Sequence, residues 1–334
     1  MALAACSGGG GAAPAAGAAS TAAETTAEAK ADSSGEAAGS SGEEGAAGDM
    51  GAIGFSISTL NNPFFVSMAD GAKAKAQELG VKLTIVDAGN DTAKQTSDIE
   101  DLIAKNIKVL IVNPEDSASV APIVSDAMAA GIKVIAVDRY VDGQEVDCYI
   151  GTDNVQAGEA AGTYFLDKVG EGAKIAILEG IPGASSAIDR NQGFLNAVEG
   201  KVDIAASQTA NYDRAEGLTV TENILQAHPD IAGILAANDE MALGAIEAVE
   251  AAGKVPGKDI LVTGFDAGDD ARQAVKDGKM LFTVEQQTTR MGEMAVESGL
   301  KMMQGENVER ISPSILHLLT NKLQFVTMVR NSNN

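Results

Sequence analysis

Tryptophan is absent from this chain of 334 residues, and aromatic residues together make up only 4% of it. Because rings are so scarce, a place where they cluster carries more weight than it would in an average protein. Phe64 and Phe65 stand side by side. The segment that contains them is therefore a first candidate for a functional surface.

Basic residues are also in short supply. Lys and Arg number 24 against 47 Asp and Glu, which gives a formal net charge of −23. Nucleic acids and anionic membranes select basic surfaces, so neither is an expected partner. The sequence has no apolar run of about 20 residues, the length that a helix needs to cross a bilayer.

Histidine and cysteine are rare, with two of each. His228 and His317 belong to no cluster of His, Cys and carboxylate side chains with metal-ligand spacing, and the sequence has no nucleophile elbow and no phosphate loop. We therefore expect no metal site, no cofactor and no catalytic residue. Cys6 and Cys148 lie far apart and do not suggest a disulfide framework.

Apolar side chains larger than alanine are nearly missing from residues 7–49, which consist mainly of Ala, Gly, Ser, Thr and Glu. Such a segment cannot offset its ordering entropy, so we predict a disordered acidic tether. Before it, Leu3-Ala4-Ala5-Cys6 resembles the lipobox of bacterial lipoproteins, in which the Cys is lipidated; residues 1–6 are then a signal remnant. The charged and apolar parts of a signal peptide do not precede it. A stray thiol at Cys6 is the alternative.

From residue 51 onward, short β-branched runs alternate with stretches of helical period, a pattern typical of parallel sheets covered on both faces. Thr92 with Gln95 fits a capping box, and Gly80, Gly131 and Gly253 fit helix ends. The predicted strands are 51–57, 82–86, 109–112, 133–137, 173–178, 204–207, 231–235, 260–263 and 281–284. The predicted helices include 68–79, 93–105, 119–130, 155–169, 190–198, 215–227, 241–251 and 271–277.

An internal repeat indicates two similar lobes. Asn113 ends a strand, and after a helix and a second strand comes Asp138; Asn238 and Asp266 stand in the corresponding places further along. Ligands of open parallel sheets bind beyond the carboxyl ends of the strands, so these four side chains are predicted to line one cleft from opposite walls. The alternative is that they cap the helices that follow.

The segment Ser58 to Phe65 reads Ser-Thr-Leu-Asn-Asn-Pro-Phe-Phe and combines two chemistries. Asn62 offers amide donors and an acceptor, while Phe64 and Phe65 offer flat apolar faces. A sugar, which has hydroxyl edges and C–H faces, needs both kinds of contact. The alternative is a turn into a helix that starts at Pro63, with both rings in the core.

Over residues 51–305 the sequence resembles the periplasmic sugar-binding proteins of bacterial ABC importers, and among them the ribose-binding members. The resemblance rests on short polar and aromatic runs at strand ends. These are the Ser58 to Phe65 segment, Val137-Asp138-Arg139, the segment 185–194 with Arg190, Asn238-Asp239-Glu240-Met241-Ala242-Leu243-Gly244, and Gly264-Phe265-Asp266.

The resemblance implies a type I periplasmic binding protein fold, with two doubly wound lobes joined by three crossovers. The lobes would comprise 50–153 plus 287–313 and 154–286 plus 314–330, with crossovers near 153–154, 286 and 312–316. It also implies that a monomer, outside the cytoplasm or lipid-anchored to the membrane, delivers a monosaccharide to an importer's permease. The implied ligand-binding residues are Ser58, Asn62, Phe64, Phe65, Asn113, Asp138, Arg139, Arg190, Tyr212, Asn238, Phe265, Asp266 and Gln286.

Charged side chains and aromatic rings have different expected roles in this site. Asp138 beside Arg139, and Asp266 across the cleft from Arg190, would give charge-assisted hydrogen bonds to hydroxyls. Phe64, Phe65, Tyr212 and Phe265 would cover the apolar faces of the sugar. D-ribose is the expected ligand, with other pentoses, allose or a furanosyl signalling molecule as alternatives.

Two departures from the family and two other classes of function remain open. The family has Phe where this chain has Tyr212, whose hydroxyl either bonds the ligand or narrows the pocket, and residues 310–334 depart from the family's usual ending. An enzyme with Asp138 and Asp266 as acid and base is one alternative. A sugar-responsive regulator is the other, but an acidic tether replaces the basic helix-turn-helix that it needs.

Overall fold

The structure is a computed structural model that describes residues 51–308, 316–320 and 325–328. The predicted tether 7–49, the lipobox Cys6 and most of the third crossover at 312–316 lie outside the described residues. Within the described part of the chain, no helix has the length and apolar character needed to span a membrane.

The first lobe is built on a parallel sheet with helices on both faces. Its elements are β1 (Ala52–Ile57), α1 (Pro63–Leu79), β2 (Lys82–Asp87), α2 (Thr92–Ala104), β3 (Val109–Val112), α3 (Ala121–Ala129), β4 (Lys133–Val137) and β5 (Cys148–Ile150). The strand order is β2-β1-β3-β4-β5. This is a doubly wound order, in which the connections reverse direction between β1 and β3 and leave a crevice there for a ligand.

The second lobe repeats this plan. Its elements are α4 (Asn154–Val169), β6 (Lys174–Glu179), α5 (Ser185–Val198), β7 (Asp203–Thr209), α6 (Arg214–Ala227), β8 (Gly233–Ala236), α7 (Asp239–Ala251), β9 (Leu261–Thr263), α8 (Asp269–Lys276) and β10 (Phe282–Glu285). The chain then returns to the first lobe with α9 (Thr288–Met303), and β11 (Leu316–Thr320) and β12 (Phe325–Met328) extend the second sheet. The sheet order is β12-β11-β10-β9-β8-β6-β7. From β7 to β10 this matches the order of the first sheet, so the two parallel α/β lobes predicted from the sequence are confirmed.

The hydrophobic cores follow from the β-branched strands. All four residues of β3 are buried, since this central strand has helices on both of its faces. One core cluster packs α1 and α9 against the first sheet, a second packs α2 and α3 against its other face, and a third fills the second lobe. Buried apolar area of this extent fixes the strand ends, and with them the loops that follow.

Asparagine and aspartate side chains start many of the helices. Asn62 Oδ1 accepts a hydrogen bond from Phe64 N at 2.9 Å, with Pro63 at the first helical position. Asp153, Asp213 and Asn238 cap α4, α6 and α7 in the same way. The capping alternative is therefore correct for Asn238, and the alternative of a helix that starts at Pro63 is correct for the first loop, but Asn62 and Asn238 also face the cleft, as described below.

The predicted capping box of Thr92 and Gln95 is wrong. Asp91 caps α2 through a 2.8 Å hydrogen bond from Lys94 N, and Thr92 is the first helical residue. Gln95 is instead fully buried: its Nε2 donates to Asn113 O at 2.9 Å and its Oε1 accepts from Glu115 N at 2.8 Å. The side chain that looked like a cap thus holds the loop after β3.

Several elements were not predicted from the sequence. β5 has only three residues, and β11 and β12 pair antiparallel, which breaks the strand–helix alternation. Helix α9 was not among the predicted helices, although Met291, Ala295 and Val296 on one of its faces are buried against the first sheet. Helices α1 and α5 begin five residues earlier than predicted, at Pro63 and Ser185.

Close approach of α1 and α9 yields a prediction. A Cβ at Gly292 would lie 2.0 Å from Met68 O, and one at Gly71 would lie 2.2 Å from Thr289 O, so the backbones are nearly in contact. We expect Gly292→Ala to lower the free energy of unfolding by about 1–3 kcal/mol, because it forces the helices apart. Urea unfolding measures this, with Lys73→Ala on the exposed face of α1 as the control. A Gly292→Ala protein as stable as the wild type would contradict the packing.

Candidate functional site

Polar residues at the carboxyl ends of strands in both lobes surround one cavity of about 250 Å³. The loop after β1, the end of β4 and the loops after β7, β8, β9 and β10 all contribute. The cavity is lined by Asn62, Phe64, Phe65, Asp138, Arg139, Ser186, Arg190, Tyr212, Asn238, Asp266 and Gln286. Except for Ser186, each of these side chains was predicted from the sequence as a ligand contact.

Three predicted residues support the wall rather than line it, within the part of the chain that the structure describes. Asn113 Oδ1 accepts hydrogen bonds from Ser58 Oγ at 2.7 Å and Ser58 N at 3.2 Å. Asn113 Nδ2 donates to Val137 O at 3.1 Å. Phe265 is fully buried, with the Arg190 guanidinium carbon 3.6 Å from its ring centroid. Ser58 and Asn113 thereby fix the ends of β1, β3 and β4, and Phe265 supports an arginine.

Ser186 and Gln95 are the residues that sequence reasoning missed. Ser186 is buried near the start of α5, inside the segment 185–194 that carries the family resemblance, but nothing in its immediate sequence distinguishes it. Gln95 could have been found from its position on the helix, because it follows the apolar period of Ile99 and Leu102 and so faces the sheet.

Arg139 is almost completely buried at the end of β4. Its Nη1 donates to Pro114 O at 2.8 Å and to Glu115 O at 3.2 Å, and lies 3.4 Å from Glu115 Oε2. Burial raises the pKa of Glu115, and the attraction of Arg139 opposes that rise. The guanidinium also lies over the Phe65 ring, 5.3 Å from its centroid. One edge of Arg139 is thus held by protein while the other faces the cavity.

Arg190 in the second lobe is likewise held by hydrogen bonds and by an aromatic ring. Its Nη2 and Nε donate to Asn154 Oδ1 at 2.8 and 3.2 Å, and its Nη1 donates to Ala237 O. Stacking on Phe265 fixes the plane of the guanidinium. Asn154 is the first residue of α4, at a predicted crossover. Arg190 is therefore attached to the point where the chain passes between lobes, and it is not the surface charge that a helix start would otherwise suggest.

The charge facing Arg190 across the cleft is Asp138, not Asp266 as predicted. Asp266 follows β9 and Arg190 belongs to α5, so both lie in the second lobe. Burial raises the pKa of Asp138, and the attraction of Arg139 and Arg190 opposes the rise. Burial likewise raises the pKa of Asp266 well above its usual range, aided by the repulsion of Asp239 and opposed by Arg190. The cavity thus contains two carboxyl groups and two guanidinium groups.

Two buried polar atoms at the cavity, Arg139 Nε and the Tyr212 hydroxyl, have no hydrogen-bond partner among the residues that the structure describes. Arg139 Nε lies 3.8 Å from Asp138 Oδ2, which is too long for a hydrogen bond. Leaving a buried donor unpaired costs about 1–3 kcal/mol. These atoms therefore favour a ligand that brings hydrogen-bonding groups of its own.

Backbone strain is concentrated at the same place. Asp138, Tyr212 and Asp266 have φ of 65°, 58° and 122°, values that side-chain-bearing residues rarely adopt. Conformations of this kind cost of order 1–3 kcal/mol each and persist where the surroundings enforce them, often at functional sites. All three side chains line the cavity.

Asp239 enforces the strained loop that carries Asp266. Its Oδ2 accepts from Gly268 N at 2.8 Å and its Oδ1 from Thr283 Oγ1 at 2.7 Å. Thr283 Oγ1 in turn accepts from Ala267 N at 3.0 Å, and Asp239 N donates to Phe265 O at 2.8 Å. This fully buried carboxyl group binds both sides of the loop, so it sets the position of Asp266.

Hydrogen bonds also join the two lobes, some away from the cavity and others beside it. Ser117 N donates to Gly183 O at 3.0 Å, and Ser185 N donates to Ser117 Oγ at 3.1 Å. Tyr140 N donates to Ser185 Oγ at 3.0 Å. Near the second crossover, Gln286 Nε2 donates to Asp266 Oδ1 at 2.8 Å and Thr152 Oγ1 donates to Gln286 Oε1 at 2.7 Å. The structure therefore describes the lobes in contact around the cavity.

A cavity of this kind, polar at its edges and enclosed by two similar lobes at their strand ends, defines a two-lobed solute-binding protein. No group of His, Cys, Asp and Glu within the described residues is arranged to hold a metal ion. Residues 53–307 match the family model described as periplasmic binding protein domain. The chain belongs to this family of transport proteins, which bind solutes and are not enzymes.

Individual relatives are similar over most of their length. The ribose import binding protein RbsB of Bacillus subtilis (strain 168) is 46% identical over 270 residues, which cover 81% of this chain and 87% of the relative. RbsB of Escherichia coli (strain K12) is 44% identical over 268 residues, 80% of this chain and 90% of the relative. The crystal structure of a Caulobacter myo-inositol binding protein with bound myo-inositol has a TM-score of 0.78 at 35% identity and covers 82% of this chain and 95% of that one.

The buried carboxyl of Asp239 yields a prediction about pH. Burial raises its pKa from 3.8 to about 7, against the hydrogen bonds from Thr283 and Gly268. Between these values the folded state retains a proton that the unfolded chain has lost, so its stabilisation is complete below about pH 4 and is lost as the pH rises toward 7. We expect the free energy of unfolding to fall over this range, and to fall less steeply in Asp239→Asn.

Urea unfolding of both proteins at several pH values measures the two slopes, with Asp126→Ala, an exposed aspartate of α3, as the control. The Asp126→Ala protein should retain the wild-type slope. Equal slopes for the wild type and Asp239→Asn would show that Asp239 ionises alike in the folded and unfolded states.

Proposed function

We propose that this protein captures one neutral monosaccharide, D-ribose, in the cavity between its lobes and delivers it to an ABC importer. The observation that supports this most directly is the composition of the cavity wall. Two aspartates and two arginines face a space that rings also border.

The balance of charge favours a neutral polyol. The wall presents carboxyl groups and guanidinium groups side by side, and Glu115 also pairs with Arg139, so neither guanidinium is left free for an anionic ligand. Hydroxyl groups can donate to the carboxylates and accept from the guanidinium groups. Such charge-assisted hydrogen bonds are roughly twice as strong as neutral ones. Asn62, Asn238 and Ser186 add neutral donors and acceptors.

The rings and the size of the cavity favour a small cyclic ligand. Phe64 and Phe65 meet edge to face, with centroids 5.0 Å apart and planes at 88°, and Tyr212 lines the same cavity from the second lobe. Flat rings cover the C–H faces of a sugar and exclude water. Rings and polar side chains from both lobes border this small space on several sides. A single sugar unit suits it.

The choice of D-ribose rests on similarity. Both curated relatives described above are ribose import binding proteins. The similar structure that contains myo-inositol shows that the same fold accepts a six-membered polyol. Another pentose, allose or a furanosyl sugar is therefore the alternative within the same class of function.

Binding to both lobes gives the ligand a means of closing them. A ligand shifts a conformational equilibrium only by its differential affinity for the two states, and a sugar bonded to Asp138 and Asp266 together has such a preference for the closed state. Hinge closure around a ligand is the known movement of periplasmic binding proteins. The proposed hinges are the crossovers at 153–154, 286 and 312–316, between lobes comprising 50–153 plus 287–313 and 154–286 plus 314–330.

The closed form is the one that an importer's permease would select, and the protein would act as a monomer outside the cytoplasm. Lipid attachment at Cys6 would keep it at the membrane surface while residues 7–49 give it reach. Both segments lie outside the described residues, so these two points rest on the sequence alone.

D-ribose should stabilise the wild-type protein, and loss of Asp266 or Arg139 should remove most of that effect. We expect D-ribose to raise the melting temperature, since it binds the folded state only. In Asp266→Ala and Arg139→Ala the affinity measured by calorimetry should fall about 10- to 100-fold, because each variant loses charge-assisted hydrogen bonds.

Asp126→Ala and Lys73→Ala are the matched controls, because both side chains are exposed on helices and neither lines the cavity. They should bind as the wild type does. A flat calorimetric trace of the wild type with D-ribose would contradict the ribose assignment, and a screen of other monosaccharides would then identify the ligand. Formation of sugar product in excess of protein would overturn the binding role in favour of an enzyme.

A further inference from the structure

Tyr212 reaches the cavity from a loop that is held rigidly. The loop joins β7 to α6, and Asn211 and Tyr212 have φ of 50° and 58°. Thr209 Oγ1 donates to Gly180 O at 2.7 Å and accepts from Asn211 N at 3.2 Å. Asn238 Nδ2 donates to Tyr212 O at 3.3 Å. These bonds enforce a strained backbone, and the strain directs the Tyr212 side chain into the cleft.

The protein makes room for the phenol. A Cβ at Gly180 would lie 2.2 Å from Tyr212 Cζ and 2.6 Å from the hydroxyl oxygen, so the hydroxyl end of the ring rests directly against the Gly180 backbone. Any other residue at position 180 would displace the ring. The absence of a side chain at Gly180 therefore gives the hydroxyl oxygen a defined position in the structure.

The hydroxyl itself is buried and unpaired. Tyr212 is 9% exposed, and its hydroxyl has no hydrogen-bond partner among the described residues. Ser186 lies close enough to lower the pKa of Tyr212, but no hydrogen bond of normal geometry joins the two side chains. Burial raises that pKa above its usual value of 10, so the hydroxyl keeps its proton near neutral pH and can both donate and accept.

The two arginines next to the Tyr212 ring also support a role in ligand binding. The guanidinium carbons of Arg139 and Arg190 each lie 5.9 Å from the Tyr212 centroid, one in each lobe. Arg139 Nε is the other unpaired buried polar atom at this cavity. Both unpaired atoms thus belong to neighbouring side chains that line the cavity.

We propose that the Tyr212 hydroxyl is a specificity determinant that hydrogen-bonds one particular hydroxyl group of the bound monosaccharide. This inference rests on the proposed function and extends it to a single atom. A site with a buried polar group rejects an analogue that lacks the matching hydroxyl, because the protein group is then left unpaired. Tyr212 therefore makes the protein select against sugars that lack that hydroxyl.

Tyr212→Phe removes only this oxygen. The proposal is tested by comparing the wild type and this variant across a set of sugars. Calorimetry gives the affinity of the wild type and the variant for D-ribose and for analogues in which one hydroxyl at a time is replaced by hydrogen. We expect the variant to bind D-ribose about 10-fold more weakly, which corresponds to one lost hydrogen bond. For one analogue alone, the wild type and the variant should bind equally.

Three outcomes would overturn the proposal. Equal or tighter binding of every sugar by Tyr212→Phe would mean that the oxygen only fills space. An equal loss for D-ribose and every analogue would mean that it contacts no single hydroxyl. A lower melting temperature of the ligand-free variant with unchanged affinities would assign it a purely structural role.

Two controls keep these outcomes apart. Tyr164→Phe removes a hydroxyl from a ring that packs on Phe282 in the second-lobe core, away from the cavity, and should leave all affinities unchanged. Wild-type protein that binds no monosaccharide at all would overturn the proposed function itself, whereas wild-type binding with an unresponsive Tyr212→Phe overturns only the role of Tyr212.

Discussion

Four buried charges at the meeting of two lobes dominate the structure of this protein. Asp138 and Arg139 come from one lobe, Arg190 and Asp266 from the other, and none has enough water around it to be stable alone. Each therefore needs partners: Glu115 and carbonyl groups for Arg139, Asn154 and Phe265 for Arg190, Gln286 for Asp266. Because Asp138 and Arg190 attract each other across the cleft, the closed arrangement and the charge balance depend on one another.

The rest of the fold places these groups and keeps them in strained conformations. Parallel strands in the same order in both lobes bring their carboxyl ends to the cleft. Behind the four charged side chains lies a layer of buried polar side chains that does not line the cavity. In the first lobe, Asn113 and Gln95 tie the strand ends together; in the second, Asp239 and Thr283 hold the loop of Asp266. Preorganisation of this kind reduces the free energy that ligand binding must supply to order the site.

Sequence patterns predicted the lobes well, because β-branched runs and helical periods reflect burial directly. The repeat of Asn113 and Asp138 as Asn238 and Asp266 indicates the cleft from the sequence alone. Patterns failed where a residue serves tertiary structure. Gln95 resembles a helix cap but supports the loop after β3. Phe265 lies behind the cavity wall, where its ring supports Arg190, and its contact with a ligand stays a prediction. Local sequence does not record which lobe a side chain faces, which is why Asp266 was paired with Arg190 across the cleft. The alternative of a turn into a helix with Phe64 and Phe65 in the core is correct alongside the position of both rings at the cavity.

In the proposed function, both lobes bind one sugar together. Asn61 in the first lobe and Arg214 in the second line one pocket at the mouth of the cleft, so the distance between them reports closure. Spin labels on Asn61→Cys and Arg214→Cys, in a Cys6→Ser background, give this distance by pulsed electron paramagnetic resonance. Saturating D-ribose should shorten the distance and narrow its distribution. A distribution that is identical with and without D-ribose, in a protein that binds D-ribose by calorimetry, would show that the sugar is held by one lobe alone.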